Sequence, residues 1–251
     1  MKCINRLKAK VRNHISNVLQ DEVERKRRRV GSDGEMYVYT LRDFKSVGCV
    51  FIHVPRAAGT SICQALFGHS AGGHRTAQEY RCIFGKEFLS YYRFSFVRNP
   101  YARLVSAYEY LRRGGHPAWP KNRTFGDEVI GAYENFQSFV VEWLRPEKTQ
   151  WPLPHFYPQT HFLVLDDQLA VDFLGHVETI ETDFAAVCDH LGKKEELPEV
   201  NAMPGERSPL ASYYDSDAVR RRVQEVYRSD FETLGYSRDV GKAGASPRDQ
   251  S

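Results

Sequence analysis

The residues best suited to chemistry in this chain form one contiguous run: Arg56, Ala57, Ala58, Gly59, Thr60 and Ser61. Arg56 is a forked, permanently charged donor. The small residues behind it let backbone N–H groups crowd around a ligand. Thr60 and Ser61 suit a first helical turn, where free N–H groups and the positive end of the helix dipole meet. That combination fits a phosphate or sulfate ester. It also fits an ordinary strand–turn–helix corner with Arg56 solvated, because short glycine-containing loops are common. It is not a Walker P-loop, since no lysine follows Gly59. Four histidines in predicted loops or loop edges, His69, His74, His155 and His161, are candidate proton acceptors. An ordinary imidazole titrates near pH 6–7, which suits a general base, although a lone loop histidine is more often a solvated bystander.

Rigid elements must aim these groups. Val47, Val50, Phe51, Ile52 and Val54 predict one buried strand, ended by Pro55, which has no N–H and a fixed φ. Ile62, Ala65 and Leu66 then face a helix inward. Phe94–Val97 predicts a second strand running into Arg98-Asn99-Pro100, where Asn99 suits an N-cap and Pro100 a first helical position. Tyr101, Leu104, Val105 and Tyr108 give the next helix its apolar stripe, with Ser106 off the stripe and Arg103 on the polar side. Two strands therefore each end in a charge at a helix start. In open α/β sheets that carboxyl edge is where ligands bind. Between them, Thr76 and Glu79 are spaced as a capping box for a short helix reaching Phe84.

With 251 residues, 41% apolar and 13% aromatic, the chain suits one soluble domain with short tails. No apolar run approaches a membrane span and none follows Met1 as a signal peptide would, so a cytoplasmic location is expected. Cys3, Cys49, Cys63, Cys82 and Cys188 are odd in number and scattered, without metal-ligand spacing, and read as free thiols in a reducing compartment. The net charge of +3 conceals a leading segment, residues 1–30, with ten Lys/Arg and three Asp/Glu. The excess charge sits there, which argues against a nucleic-acid footprint across the whole domain. Ile4, Leu7, Val11, Ile15, Val18 and Leu19 recur among its basic residues at helical spacing. That pattern suits contact with an anionic membrane surface or a polyanion, or a helix docked on the domain with a solvated basic face. Gly31–Gly34 reads as a linker, and residues 239–251 as a disordered tail.

In the middle of the chain, Phe136, Phe139, Val140, Trp143 and Leu144 form a helical stripe that reads as core. Pro146 to Pro158 is proline-punctuated and carries Trp151, His155, Phe156 and Tyr157, rings that suit either stacking on an acceptor or closing the core edge.

The opening corner, Val54-Pro55-Arg56-Ala57-Ala58-Gly59-Thr60-Ser61, resembles the 5′-phosphosulfate loop of sulfotransferases of the Golgi-type and bacterial carbohydrate branch. Phe94-Ser95-Phe96-Val97-Arg98-Asn99-Pro100 with Ser106 is similar to that family's 3′-phosphate motif, an arginine at a strand end and a serine eight residues on. Pro158-Gln159 ahead of a short strand expected over 162–165, Val171 to Glu178 as a strand leading to a glutamate, Leu197-Pro198 with Asn201, and Val219 to Gly235-Tyr236 extend the likeness, which covers residues 46 to 236. One departure stands out. The family pattern has lysine where this chain has Arg56.

The resemblance implies residues 1–45 as a basic segment and linker, 46–238 as the sulfotransferase domain and 239–251 as the tail. It implies a single-domain, P-loop-like, three-layer α/β fold with a mostly parallel central sheet flanked by helices. The expected donor is 3′-phosphoadenosine 5′-phosphosulfate, with no metal and with 3′,5′-bisphosphoadenosine as product. The expected acceptor is a hydroxyl of a saccharide or glycoconjugate. Arg56, Ala57, Ala58, Gly59, Thr60, Ser61, Arg98 and Ser106 would hold the donor. Similar bacterial sequences carry a His-x-Thr-Ala that His74-Arg75-Thr76-Ala77 matches, which makes His74 the expected base, with Arg56 as its catalytic partner. Two other classes remain open: a non-catalytic nucleotide-binding protein on the same fold, and a P-loop-type nucleotide kinase, which the missing Gly-Lys-Ser/Thr disfavours.

Overall fold

Three parallel strands ending at one edge set the geometry of this protein. A computed structural model describes residues 41–69, 73–117, 119–148, 153–198 and 209–250. β1 (Cys49–Ile52) pairs with β2 (Tyr92–Val97), Phe51 opposite Phe94 and Ile52 opposite Ser95. β2 pairs with β3 (Phe173–His176), Val97 opposite His176, so β2 is central. All of β1 and the last four residues of β2 are buried, as expected of a parallel sheet covered on both faces. The Ser95 hydroxyl donates to the Ile52 carbonyl at 2.6 Å, which satisfies a polar group deep in the sheet. Gly175 in β3 has a packing cause: a Cβ there would stand 2.5 Å from the Phe96 ring. A separate two-residue antiparallel ribbon joins Val164–Leu165 to Gln168–Leu169.

The helices start where their caps dictate. α1 (Gly59–Phe67) follows β1. α2 (Ala77–Phe84) has the capping box: Thr76 Oγ1 accepts from Glu79 N at 3.2 Å and Glu79 Oε2 accepts from Thr76 N at 2.7 Å. α3 (Pro100–Arg112) begins after Asn99, whose Oδ1 accepts from Tyr101 N at 3.0 Å, and has proline at its first position. α3 buries Tyr101, Leu104 and Tyr108, as the stripe predicts, and leaves Val105 half-buried. It also buries Arg103 and Ser106, which the sequence assigned to a polar face; both point into the protein and bind other segments there. α4 (Ile180–His190) follows β3, and α5 (Asp217–Val226) and α6 (Arg228–Leu234) close the core with Val219, Val223, Val226, Phe231 and Leu234. Phe136, Phe139, Val140, Trp143 and Leu144 are all buried, and Phe156 packs on Trp143 with ring centroids 5.2 Å apart. Phe156 therefore closes the core edge.

Two expectations are corrected. A strand over 162–165 is replaced by a short helix, Thr160–Leu163, running into the ribbon. The buried Asp230 carboxylate accepts from Gln159 N at 2.9 Å and Thr160 N at 3.0 Å, which fixes a helical turn at that point. Residues 239–250 form short 3₁₀ turns at Val240–Lys242 and Pro247–Gln250 rather than a disordered tail. Ala243 and Ser246 are buried, and Arg248 donates to Asp183 Oδ1 at 2.6 Å and to the Leu174 carbonyl at 2.9 Å. A charge-assisted bond to a buried carboxylate holds this segment down.

The basic amphipathic segment, the Gly31–Gly34 linker, Cys3, Trp151 and Asn201 lie outside the described residues. Cys49, Cys63, Cys82 and Cys188 are unpaired thiols. Among the described residues no helix is long and apolar enough to cross a membrane.

Candidate active site

The first corner is built on two residues in the left-handed region, Arg56 at φ 66° and Ala58 at φ 60°. A non-glycine residue there costs on the order of 1–3 kcal/mol, so surrounding contacts must hold the turn. Arg103 supplies two of them: its Nε donates to the Pro55 carbonyl at 2.8 Å and its Nη1 to the Tyr157 carbonyl at 2.8 Å. Its Nη2 is buried without a partner. Backbone alternating through left-handed residues curls its N–H groups into an anion-binding concavity. Ala58, which precedes α1, offers no side-chain acceptor to the first helical turn.

Arg56 leaves the turn towards α3. Its Nε and Nη2 both donate to Ser106 Oγ at 3.1 Å, and its guanidinium carbon lies 4.3 Å from the centre of the Tyr110 ring. Ser106 and Tyr110 are four residues apart on α3 and so face the same way. The two sequence motifs thus meet in one place. Ser106 accepts from Arg56, the residue of the other motif.

At the second corner the backbone of Arg98 is bracketed by one side chain. Gln159 Oε1 accepts from Arg98 N at 2.9 Å, and Gln159 Nε2 donates to the Arg98 carbonyl at 2.8 Å. Asn99 N donates to Glu178 Oε1 at 2.7 Å, and Tyr236 donates its hydroxyl to Glu178 Oε2 at 3.0 Å. Burial raises the Glu178 carboxyl above its ordinary range. Gln159, Glu178 and Tyr236 fall in the segments that resemble the family, but their roles come from pairings distant in sequence.

Of the four candidate histidines, two are brought together and two are not. His69 lies past the far end of α1, with Nε2 3.4 Å from Asp43 Oδ2. His161 packs on Tyr157 and Phe162, at 4.8 and 5.3 Å. His74 and His155 are neighbours, with ring centroids 5.8 Å apart. The group that sequence reasoning missed is His53. Its ring is 4.5 Å from that of His74, edge to face, and its carbonyl lies 3.2 Å from His74 Nδ1. A carbonyl only accepts, so His74 carries its proton on Nδ1 and presents Nε2 as a lone pair. His155 in turn stacks on Tyr110 at 5.4 Å. A continuous path of rings therefore runs from His53 through His74, His155 and Tyr110 to Arg56.

The clue to His53 was Gly59. A Cβ on Gly59 would lie 2.0 Å from the His53 ring, so the glycine admits the imidazole against the start of α1. Both His53 Nδ1 and His155 Nδ1 are buried without a partner.

Burial, reinforced by Arg103 and Arg56, lowers the His74 pKa to about 4 despite the raising effect of the His53 carbonyl. His53 and His155 are pushed well below the ordinary value, first by burial and then by His74, with Arg56 acting on both. All three rings are neutral at pH 7. The expected base with a pKa of 6–7 is corrected accordingly: His74, His53 and His155 are held in the neutral form near pH 7.

Residues 45–237 match the model of the sulfotransferase family, and the chain belongs to that family. Over 201 residues it is 24% identical to carbohydrate sulfotransferase 12 of Mus musculus, covering 67% of this chain and 47% of that protein. The Xenopus laevis carbohydrate sulfotransferase 12 is likewise 24% identical, over 203 residues. The chain thus spans about half the length of these relatives. A stretch of 113 residues is 32% identical to an uncharacterized protein of Archaeoglobus fulgidus, covering 45% of this chain and 77% of that one. No solved structure matches significantly.

Proposed function

We propose that this protein transfers a sulfuryl group from 3′-phosphoadenosine 5′-phosphosulfate to a hydroxyl of a carbohydrate acceptor. The observation that carries this reading is the Arg56–Ser106 junction, which joins the two donor motifs at 3.1 Å beside three neutral histidines. The residues suit such a donor: a left-handed turn, the guanidiniums of Arg56 and Arg98, and the buried, partly unpartnered Arg103 all favour an anion. When bound, the donor supplies an already activated sulfuryl group.

In this reading the turn from Arg56 to Ser61 holds the 5′ side, and Arg98 with Ser106 holds the 3′-phosphate. Arg56 stabilises charge that moves onto the leaving oxygen. His74 Nε2 accepts the proton of the acceptor hydroxyl. The transfer is an in-line displacement, so positioning and charge stabilisation dominate. A P-loop-like three-layer arrangement belongs to the same reading, supported by two successive strand–turn–helix corners. The carbohydrate sulfotransferase names of two relatives support a saccharide acceptor.

A non-catalytic nucleotide-binding protein is the second reading, favoured by one observation: at about 4, His74 is a weak base. The test is to offer the protein ³⁵S-labelled donor with a panel of saccharides, and to measure 3′,5′-bisphosphoadenosine binding separately. Transfer to a saccharide with binding of the bisphosphate is expected. Binding without transfer to any acceptor supports the second reading, and failure to bind the bisphosphate overturns both.

A further inference from the structure

Arg56 occupies a position where an extended side chain is hard to fix. Its backbone is left-handed, and a free arginine side chain has many rotamers to lose. Ser106 alone does not define the plane of the guanidinium, because one hydroxyl oxygen accepts both donors. The flat face of the guanidinium is matched by Tyr110, 4.3 Å away. That ring is itself immobilised. Its hydroxyl accepts from His116 N at 2.8 Å and from Asn122 Nδ2 at 3.3 Å, and the His155 imidazole stacks on it. Gly115 N, in the turn that ends α3, donates to the Tyr110 carbonyl at 2.9 Å.

We propose that Tyr110 is the positioning residue of the donor site: its ring orients Arg56, and it is the counterpart of arginine standing where the family pattern has lysine. The inference rests on the function proposed above. The physics is specific to a planar cation. A guanidinium stacks on an aromatic face and forks onto Ser106, whereas an ammonium at this position keeps the charge but loses both the stack and the fork. Tyr110 should therefore matter much more to an arginine than to a lysine, whose compact charge keeps only a weaker attraction to the ring. His155, neutral beside the same ring, does not repel Arg56.

The test is a double-mutant cycle read by 3′,5′-bisphosphoadenosine binding and by kcat/KM. Tyr110→Leu should weaken binding about 3- to 30-fold, the span of one desolvated cation–π contact. Tyr110→Phe, which keeps the ring, should lose much less. In an Arg56→Lys background the same Tyr110→Leu change should cost under about twofold. Equal losses in both backgrounds overturn the proposal, since a purely structural role does not depend on the cation at position 56. If Tyr110→Leu does not fold, the Arg56 Hε resonance decides. Slow solvent exchange in the wild type and Tyr110→Phe supports the proposal. Fast exchange in the wild type, or in Tyr110→Phe alone, overturns it. A wild type that binds no bisphosphate but shows the protected Arg56 resonance overturns the function while leaving Tyr110 as the group that orients Arg56.

Discussion

His74 and His53 are joined through the backbone as well as through their rings: His74 Nδ1 lies 3.2 Å from the His53 carbonyl. The residue just past β1 therefore sets the tautomer of a residue that enters after α1. This bond points the free lone pair of His74 away from His53, and makes β1 the reference from which the base is aimed.

His74→Ala should lower kcat by about 10²–10⁴ with little change in bisphosphate affinity. Because burial holds His74 near 4, the wild-type rate should stay level from neutrality down to about pH 5 and fall only below that. A pH–rate profile checks this. An acid limb near 6.5 would return the role to an exposed histidine.

Stability should fall on the same acid side, but from a higher pH, because it begins to fall at the unfolded-state value. His53, His74 and His155 have folded-state pKa values below the unfolded value of 6.5, so the unfolded chain binds more protons in the window beneath it. Their contribution is fully present above pH 6.5 and is lost progressively as pH falls below it, each ring adding a slope of up to about 1.4 kcal/mol per pH unit. Urea midpoints at pH 7.5, 6.0 and 5.0 should fall in that order. A midpoint rising on acidification would contradict the neutral state of the three rings.

Arg98→Ala should weaken 3′,5′-bisphosphoadenosine by about 1.5–3 kcal/mol and adenosine 5′-monophosphate far less. Its backbone bonds to Gln159 survive the substitution, so the strand end stays in place. Titration calorimetry with both nucleotides measures the difference. Equal weakening removes Arg98 from the 3′ site.

Gly59→Ala should be costly although the change is one methyl group. The new Cβ would meet the His53 ring at 2.0 Å, and overpacking of this kind costs about 1–3 kcal/mol. Displacing His53 should also disturb His74. Thermal unfolding and kcat should fall together, and a variant with unchanged stability would show that the ring can move aside.

The caps and strands of this fold were legible because their signals are local. Asn99-Pro100, Thr76 with Glu79, and the apolar runs entering β1 and β2 each declare themselves within a few residues. The two strand–turn–helix corners, entering the helices at Gly59 and Pro100, were legible for the same reason. What escaped was non-local. Asp230 turns residues 159 and 160 into a helix start from seventy residues away, and Gln159 brackets Arg98 across sixty-one. His53 was hidden differently, since a histidine continuing a buried strand reads as core until the glycine it presses on is seen. Arg103 looked solvent-facing because helical periodicity cannot reveal that a second layer covers the polar side.

Arg248 grips Asp183, and Asp183 Oδ2 accepts from His176 N at 2.7 Å, where β3 lies opposite Val97 one step before Arg98. The far end of the described chain is thus a tie-rod in series with the second strand–turn–helix corner. Trimming it would leave a buried carboxylate short of its cation and slacken the strand whose tip carries Glu178, so damage at the periphery would register first at the site where Asn99 is anchored.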